Sequence, residues 1–258
     1  MSTLLAAASL ATLVFAAPGY PGASGDAQPL VGRFAAAAAA AAGWPAGNLA
    51  AVYDPTDDGG VAKLKQGDAV LAFVPYPFFV EHAAELGLKP LVQADVAELG
   101  SGQRWTLVAK SGRAADPKSF AGFTLLSVAG YAPDFVRRSA LQEWALPADL
   151  KIAFTGQVLS ALRRAAAGDA VVVLLDQTQA KALPTLPFAA DLDSVMQSPE
   201  LPVAIIAVVG SRIAPQRVRS LKSGLLKMGH DAAGADALAP LGLRGFVELK
   251  LPMKTAAP

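Results

Sequence analysis

The sequence contains no cysteine. It therefore excludes disulfide bonds, thiolate metal sites, a cysteine nucleophile and a lipid anchor on cysteine. Histidine is almost as scarce: the two residues, His82 and His230, are distant in sequence and lack the spacing of metal ligands. We predict neither a metal site nor a cofactor.

Charge is also sparse, since charged residues make up 17% of the chain and the net charge is +1. Proteins that bind nucleic acid or a membrane surface carry a basic stripe, so neither partner is expected. Hydrophobic residues make up 53% of the 258 positions, which indicates a large buried core rather than disorder. The apolar run 4–17 is too short to span a bilayer, so direct membrane insertion is not expected.

The N-terminal apolar run has two interpretations. Ser9-Leu10-Ala11 is a small-x-small pattern typical of signal cleavage, although no Lys or Arg precedes Arg33. Alternatively, the segment 12–17 is simply the first core strand. We expect residues 1–11 to be a short or truncated export signal, with the mature chain beginning near Thr12.

Catalytic motifs are missing as well. The sequence has no Gly-x-Ser-x-Gly elbow, no Walker loop and no Gly-x-Gly-x-x-Gly fingerprint. Neither histidine has a convincing serine partner for a catalytic triad. These absences favour a binding protein over an enzyme.

Short apolar runs alternate with helical patterns along the chain. Strands are predicted at 12–17, 49–53, 69–74, 88–93, 105–110, 123–127, 152–154, 171–175 and 203–209. Helices are predicted at 26–42, 54–66, 77–86, 131–143, 156–167, 214–228 and 231–238. This alternation indicates an α/β protein with mostly parallel sheets.

One short pattern occurs twice. Gly67-Asp68-Ala69-Val70 and Gly168-Asp169-Ala170-Val171 each follow a helix end and lead into an apolar strand. The strands are followed by Pro75-Tyr76-Pro77 and by Asp176-Gln177-Thr178. The repetition indicates two lobes of similar design. Ligands of open α/β sheets bind at the carboxyl ends of strands, so two facing lobes would enclose a ligand between them.

Several segments, in their order and spacing, resemble the type 2 periplasmic solute-binding proteins. The segments are 13–22, 64–79, 116–122, 130–131 and 162–177. The similarity is greatest to members that import phosphate, phosphite or phosphonate, and it covers residues 12–247.

The resemblance implies a fold of two lobes, each a mostly parallel sheet flanked by helices, joined by two crossing hinge strands. Lobe one would comprise residues 12–104 and 206–258, and lobe two residues 105–205. The segments 105–110 and 203–209 are the expected crossings. The implied protein is a periplasmic monomer that closes on a small anion and delivers it to the membrane permease of an ABC importer.

Two candidate ligand contacts lie in the first lobe. The loop from Tyr20 to Ser24 precedes a helix, where backbone N–H groups bind anions, although an ordinary strand-to-helix turn would look the same. Tyr76 lies between two prolines at a strand end. It is expected on the cleft wall, and the alternative is an aromatic cluster with Phe78 and Phe79.

The second lobe offers the stretch from Ser127 to Tyr131, which includes Gly130. Related binding proteins often have several Ser or Thr here, whereas only Ser127 and Tyr131 carry hydroxyls in this chain. That departure disfavours bare phosphate and favours a larger or partly organic ligand that stacks on Tyr131.

Thr155, Gln157, Asp176 and Gln177 complete the predicted site. Thr155 could instead cap the next helix. Asp176 follows a strand and would accept a ligand proton or pair with a basic residue across the lobes. Two other functions stay open: a lyase- or dehydratase-like enzyme using Asp176 and Tyr76, and a partner-binding protein whose cleft has lost its ligand.

Overall fold

The structure is a computed structural model that describes residues 11–19, 24–113, 116–142 and 144–250. Of the predicted export segment, only Ala11 is among these residues, and it is the first residue of a strand. Tyr20 lies outside them, and Ser24 is described only as the first residue of a helix. Within the described ranges, no helix combines the length and the apolar character needed to cross a bilayer.

The described chain alternates between strands and helices, as predicted. The strands are β1 (Ala11–Ala16), β2 (Leu49–Asp54), β3 (Ala69–Pro75), β4 (Leu88–Val96), β5 (Gly102–Gln103), β6 (Thr106–Lys110), β7 (Thr124–Ser127), β8 (Lys151–Phe154), β9 (Val171–Leu175), β10 (Leu192–Gln197), β11 (Leu201–Pro202), β12 (Ala204–Val209) and β13 (Leu243–Val247). The helices are α1 (Ser24–Ala41), α2 (Asp57–Leu64), α3 (Tyr76–Leu86), α4 (Pro133–Phe135), α5 (Val158–Ala167), α6 (Gln177–Ala182), α7 (Pro215–Lys227) and α8 (Ala232–Leu238).

Two large sheets define the two lobes. The sheet of lobe one has the strand order β13-β4-β12-β3-β1-β2, and that of lobe two has the order β10-β6-β9-β7-β8. In lobe one only the pairs β2–β1 and β1–β3 are parallel, and in lobe two only the pairs β8–β7 and β7–β9. The prediction of mostly parallel sheets is therefore wrong, and both sheets are mixed. The reason is that β12 and β6 enter their sheets from the opposite lobe and run antiparallel to the strands beside them.

The chain crosses between the lobes through a two-stranded ribbon. β5 and β11 pair antiparallel, with Leu201 opposite Gln103 and Pro202 opposite Gly102. The prediction that 105–110 and 203–209 form the crossings is wrong, because β6 and β12 lie inside the two large sheets. Both runs are apolar because they are buried, and the ribbon is too short to leave a pattern of its own. The predicted lobe limit after residue 104 directly follows β5, whereas the limit after residue 205 falls inside β12.

Small residues bring the outer helices of lobe one close together. Ala35, Ala38 and Ala39 in the alanine run of α1 are buried. A Cβ on Gly224 of α7 would lie 2.6 Å from the carbonyl carbon of Ala41, so this crossing requires glycine. Phe34 of α1 forms a ring cluster with Phe15, Phe73 and Phe246 of the sheet, with centroid separations of 4.8 to 5.8 Å.

The helix predicted at 131–143 is shorter than expected. α4 continues only as a π turn, Val136–Ala140, which ends where the Leu141 N–H donates to Val136. The guanidinium of Arg137 then donates to the carbonyls of Pro147 and Leu150, at 3.3 and 2.9 Å. These bonds fix the loop around Pro147 and Leu150 against Arg137, and the chain does not continue as the predicted helix.

Candidate ligand-binding site

The carboxyl ends of the parallel strands in the two lobes face each other. β1 and β2 end at Ala16 and Asp54 in lobe one, and β7 and β8 end at Ser127 and Phe154 in lobe two. The two edges touch at Gly19, where an added Cβ would lie 2.7 Å from the carbonyl oxygen of Val128. Gly19 also has a φ of +85°, so glycine is required there by both its backbone angle and its neighbour.

A cavity of about 550 Å³, here called the cleft pocket, opens between these edges. Lobe one contributes Gly19 and Pro55. Lobe two contributes the rest of its lining: Val128, Phe154, Gly156, Val158, Leu159 and Gln179. The volume lies within the range of small-molecule sites. Since walls from both lobes form it, its occupant would contact both.

The lining of the cleft pocket combines apolar side chains with exposed polar groups, among them Gln179, and it includes no charged side chain among the described residues. Phe154 and Leu159 are 50% and 44% exposed, which is unusual for large apolar residues. The first turn of α5 supplies Val158 and Leu159, and its N-cap residue, Gln157, has no side-chain capping bond. The unpaired N–H groups of that turn are the main polar feature of the wall.

Thr155 and Gln157, both predicted to contact ligand, lie directly before α5. The Thr155 hydroxyl accepts the backbone N–H of Gln157 at 3.1 Å. This bond shapes the turn into the helix, and Gln157 itself is exposed. The pair therefore borders the cleft pocket, between Phe154 and Val158.

Tyr76 lies at the start of α3 with 1% of its surface exposed. Its ring stacks on Phe79 at 6.3 Å and meets Phe135 of lobe two edge to face at 6.0 Å. Phe135 in turn packs on Trp105 at 5.2 Å, next to the hinge ribbon. The structure thus places Tyr76 in an aromatic cluster between the lobes, which was the alternative to the cleft wall. A direct ligand contact by Tyr76 stays a prediction.

Ser127 and Gly130 have internal roles in lobe two. Ser127 is fully buried, and its hydroxyl donates to the Leu174 carbonyl at 2.8 Å while accepting the Ala129 N–H at 3.1 Å. A Cβ on Gly130 would lie 2.0 Å from the carbonyl oxygen of Ala153, so the glycine allows the turn to pack on β8. Tyr131 is half-buried, with its ring 6.5 Å from that of Phe154.

Asp176 caps α6 through a reciprocal pair of bonds. Its carboxylate accepts the Gln179 N–H at 2.8 Å, and the Gln179 side chain accepts the Asp176 N–H at 3.1 Å. Burial raises the pKa of Asp176 above its ordinary value, although N–H bonds from Gln179 and Thr178 oppose the rise. Gln177 accepts the N–H of Arg104 at 3.1 Å and lies away from the cleft pocket, towards the hinge.

Asp54, at the end of β2, carries a charge near the cleft pocket, and it is already paired. Its carboxylate accepts bonds from the Thr56 N–H and hydroxyl, at 2.9 and 2.7 Å, and forms an ion pair with Lys63. Burial favours a higher pKa for Asp54, but the bonds from Lys63 and Thr56 outweigh it and lower the pKa. Among the described residues, no three His, Asp or Glu side chains come together as a metal ion would need.

The apolar part of this wall was not predicted from the sequence. Phe154, Leu159 and Val128 were not proposed as ligand contacts, and neither was Gln179. One signal was available. Phe154 is the last apolar residue of its predicted strand, directly before the polar and turn residues Thr155 and Gly156, and therefore lies at the carboxyl end of that strand.

Comparison with known protein families finds one matching family model. The model of the family described as "ABC transporter, phosphonate, periplasmic substrate-binding protein" matches residues 56–252. A search of the curated proteins found no match.

Solved structures with similar folds cover nearly the whole chain. The protein XAC2383 from Xanthomonas citri, solved with ATP, has a TM-score of 0.67 at 14% identity over 94% of this chain and 92% of its own. PhnD1 from Prochlorococcus marinus, in complex with methylphosphonate, has a TM-score of 0.61 at 13% identity over 94% and 93%. A binding protein of an ABC phosphonate transporter from Pseudomonas aeruginosa has a TM-score of 0.58 at 14% identity over 92% and 81%. At such low identity these similarities concern the fold, and they confirm the predicted two-lobed periplasmic-binding-protein type 2 fold.

Proposed function

Because the chain belongs to the family of periplasmic substrate-binding proteins of phosphonate ABC transporters, we propose that it carries a small organic anion in the cleft pocket. The family consists of binding proteins rather than enzymes, in agreement with the missing catalytic motifs. The proposed partner is the membrane permease of an ABC importer, and the proposed setting is the periplasm.

One observation carries the proposal: the cleft pocket has walls from both lobes and includes the first turn of α5. Backbone N–H groups at a helix N-terminus attract anions, because they are unpaired and lie at the positive end of the helix dipole. An anionic group bound by Gly156 and Val158 would meet Gly19 and Pro55 when the lobes close.

The apolar remainder of the pocket argues for an organic ligand. With no cationic side chain in its described lining, the pocket would hold a bare phosphate dianion only through N–H groups and Gln179. Phe154 and Leu159 would instead cover an apolar or aromatic substituent. Methylphosphonate and ATP, bound by two proteins of similar fold, both join an anionic phosphorus group to an organic part.

Hinge closure is the proposed mechanism. A ligand that contacts both lobes binds the closed form more tightly than the open form, and so shifts the population towards closure. The ribbon of β5 and β11 is the element that would flex. The closed monomer would then be the form presented to the permease.

The test combines a ligand panel with one matched pair of variants. Thermal unfolding is measured with phosphate, phosphite, methylphosphonate, phenylphosphonate and ATP, since a ligand that binds the native state raises its apparent stability. Leu159→Glu places a negative charge beside the proposed anion, yet an acidic residue in a first helical turn stabilises the helix. Leu159→Gln has the same size without the charge.

For the compound that stabilises the wild type, calorimetry should show affinity reduced about tenfold or more in Leu159→Glu and little changed in Leu159→Gln. Phe154→Ala should weaken binding of the phenyl compound more than that of the methyl compound. Equal affinities in the wild type and Leu159→Glu would place the ligand elsewhere.

A second candidate function is favoured by the burial of Tyr76 and Ser127, two of the predicted ligand contacts. The Tyr76 ring packs against Phe135 between the lobes, and the Ser127 hydroxyl is bonded within lobe two, so the protein itself uses both side chains, as expected of a partner-binding protein that has lost its solute. If no compound of the panel stabilises the chain, while a permease complex captures it from solution, this second function is the better one.

A further inference from the structure

A second cavity, of about 560 Å³, lies in lobe two beside the hinge ribbon. We call it the hinge pocket. Its polar lining consists of Arg104, Thr106, Gln177, Lys181, Ser194 and Gln197. These residues come from the start of β6, from β10 and from α6, so the pocket is distinct in its lining from the cleft pocket.

α6 separates the two cavities. Gln177 and Lys181 are four residues apart and lie on one helical face, with Ala180 beside them, and all three line the hinge pocket. Gln179 lies on a different face and lines the cleft pocket. An occupant of the hinge pocket would therefore contact the same short helix as an occupant of the cleft.

The charge of the hinge pocket is positive. Arg104 and Lys181 both line it, and no Asp or Glu belongs to its described lining. Neither cation forms an ion pair with a carboxylate in the part of the chain that the structure describes. The cleft pocket, by contrast, has no charged side chain in its described lining.

Hydrogen bonds hold the arginine in place. The Arg104 guanidinium donates through Nη1 to the Ser198 carbonyl at 3.0 Å, and its backbone N–H donates to Gln177 at 3.1 Å. Nη1 is one of three guanidinium nitrogens, so further N–H groups stay available for a second acceptor. Arg104 directly follows β5, and Ser198 lies just before β11, so these bonds connect both crossings of the hinge ribbon.

We propose that the hinge pocket binds the oxyanion group of an organic phosphate or sulfate. Arg104 and Lys181 supply charge-assisted hydrogen bonds, and the Thr106 and Ser194 hydroxyls supply neutral ones. Val195 and Met196 cover the organic part. Because the group would bridge α6 and the residues beside the ribbon, its binding would restrict hinge motion. This proposal does not depend on what the cleft pocket binds.

Titration with inorganic phosphate and with sulfate, at constant ionic strength, tests the proposal. Calorimetry on the wild type should show saturable binding. Lys181→Gln and Arg104→Gln should each weaken it about tenfold or more, because each removes a charge-assisted hydrogen bond. Lys181 is exposed, so its replacement is not expected to disturb folding.

Two controls make the result specific. Lys118→Gln removes an equal charge from an exposed lysine elsewhere in lobe two and should leave binding unchanged. Leu159→Glu, in the cleft pocket, should also leave it unchanged. The proposal is overturned if neither anion binds saturably, if Lys118→Gln weakens binding as much as Lys181→Gln, or if only Leu159→Glu weakens it. The last outcome would place the anion in the cleft.

Discussion

The carboxylate of Glu81 accepts the backbone N–H of Asp134 at 2.8 Å, which ties α3 of lobe one to α4 of lobe two. The ring pair of Tyr76 and Phe135 packs between the same two helices. Both contacts join the lobes and therefore depend on how the lobes are arranged. Substitutions at these contacts therefore test which interactions stabilise the arrangement of the two lobes.

Replacement of Glu81 should separate hydrogen bonding from charge. Glu81→Gln keeps an oxygen that can accept the Asp134 N–H, whereas Glu81→Ala leaves that N–H unpaired. We expect the alanine variant to lose about 1–3 kcal/mol of unfolding free energy and the glutamine variant to stay close to the wild type. Urea unfolding at neutral pH measures both. Equal losses in the two variants would contradict a role for the bond.

The same pair predicts a pH effect. Burial, as the largest cause, raises the pKa of Glu81 above its ordinary value. A carboxyl group with a raised pKa in the folded state destabilises the fold when it is ionised, and this penalty disappears as the pH falls through that pKa. The stability of the wild type relative to Glu81→Gln should therefore increase as the pH is lowered from neutral towards the ordinary glutamate pKa of about 4.3.

His82 should produce the opposite dependence. Burial alone would lower its pKa, but the bond to Asp57 at 2.9 Å and the charges of Asp57, Glu81 and Glu85 outweigh burial and raise it. The protonated ring thus stabilises the fold below the unfolded pKa of about 6.5, and this stabilisation is lost as the pH rises through the folded pKa.

We expect His82→Gln to flatten the fall in unfolding free energy as the pH rises above about 6.5. Denaturant unfolding of the wild type and of His82→Gln at three or more pH values checks this expectation. An unchanged slope in His82→Gln would show that the ring does not contribute.

Gly130→Ala should be strongly destabilising, because the new Cβ would overlap the Ala153 carbonyl at 2.0 Å. We expect a loss of about 2 kcal/mol or more. Gly32→Ala, inside α1 where nothing lies within 4 Å of the new Cβ, should instead gain about 0.5–1 kcal/mol. Chemical unfolding of the two variants gives the comparison, and similar effects at both sites would argue against the close packing on β8.

Ser127→Ala tests whether this predicted ligand contact is structural. The variant removes the donor to Leu174 and the acceptor for Ala129, and should reduce the unfolding free energy by about 1–3 kcal/mol. Affinity for any compound that stabilises the wild type should remain unchanged below the unfolding temperature. A large loss of affinity with little loss of stability would instead support direct contact.

Much of the fold follows from local sequence. β1, β3, β9 and β12 are continuous apolar runs because their strands are buried on both faces. The repeated Gly-Asp-Ala-Val pattern precedes β3 and β9, and each strand leads into a helix at the carboxyl edge of its sheet. By contrast, β10 carries polar and apolar residues without clear alternation, and the ribbon strands have two residues each. Neither leaves a pattern that can be recognised.

The site was harder to predict than the fold. Strand-end positions such as Thr155 and Asp176 follow from the order of strands and helices. The burial of Tyr76 does not, because it depends on Phe135, which belongs to the other lobe and is distant in sequence. Exposure is likewise a property of the assembled lobes: the position of Phe154 at a strand end can be read from the sequence, but it does not show that the ring is exposed.

The position of β12 between β3 and β4 has a consequence for biogenesis. A nascent chain exposes β3 and β4 long before β12 has been synthesised, and the two strands have no pairing with each other. Lobe two, whose strands β6 to β10 are contiguous, can complete its sheet first. The middle of the first sheet must then wait for a strand that follows the whole of lobe two in the chain, so lobe two can be complete while lobe one still lacks its central strand.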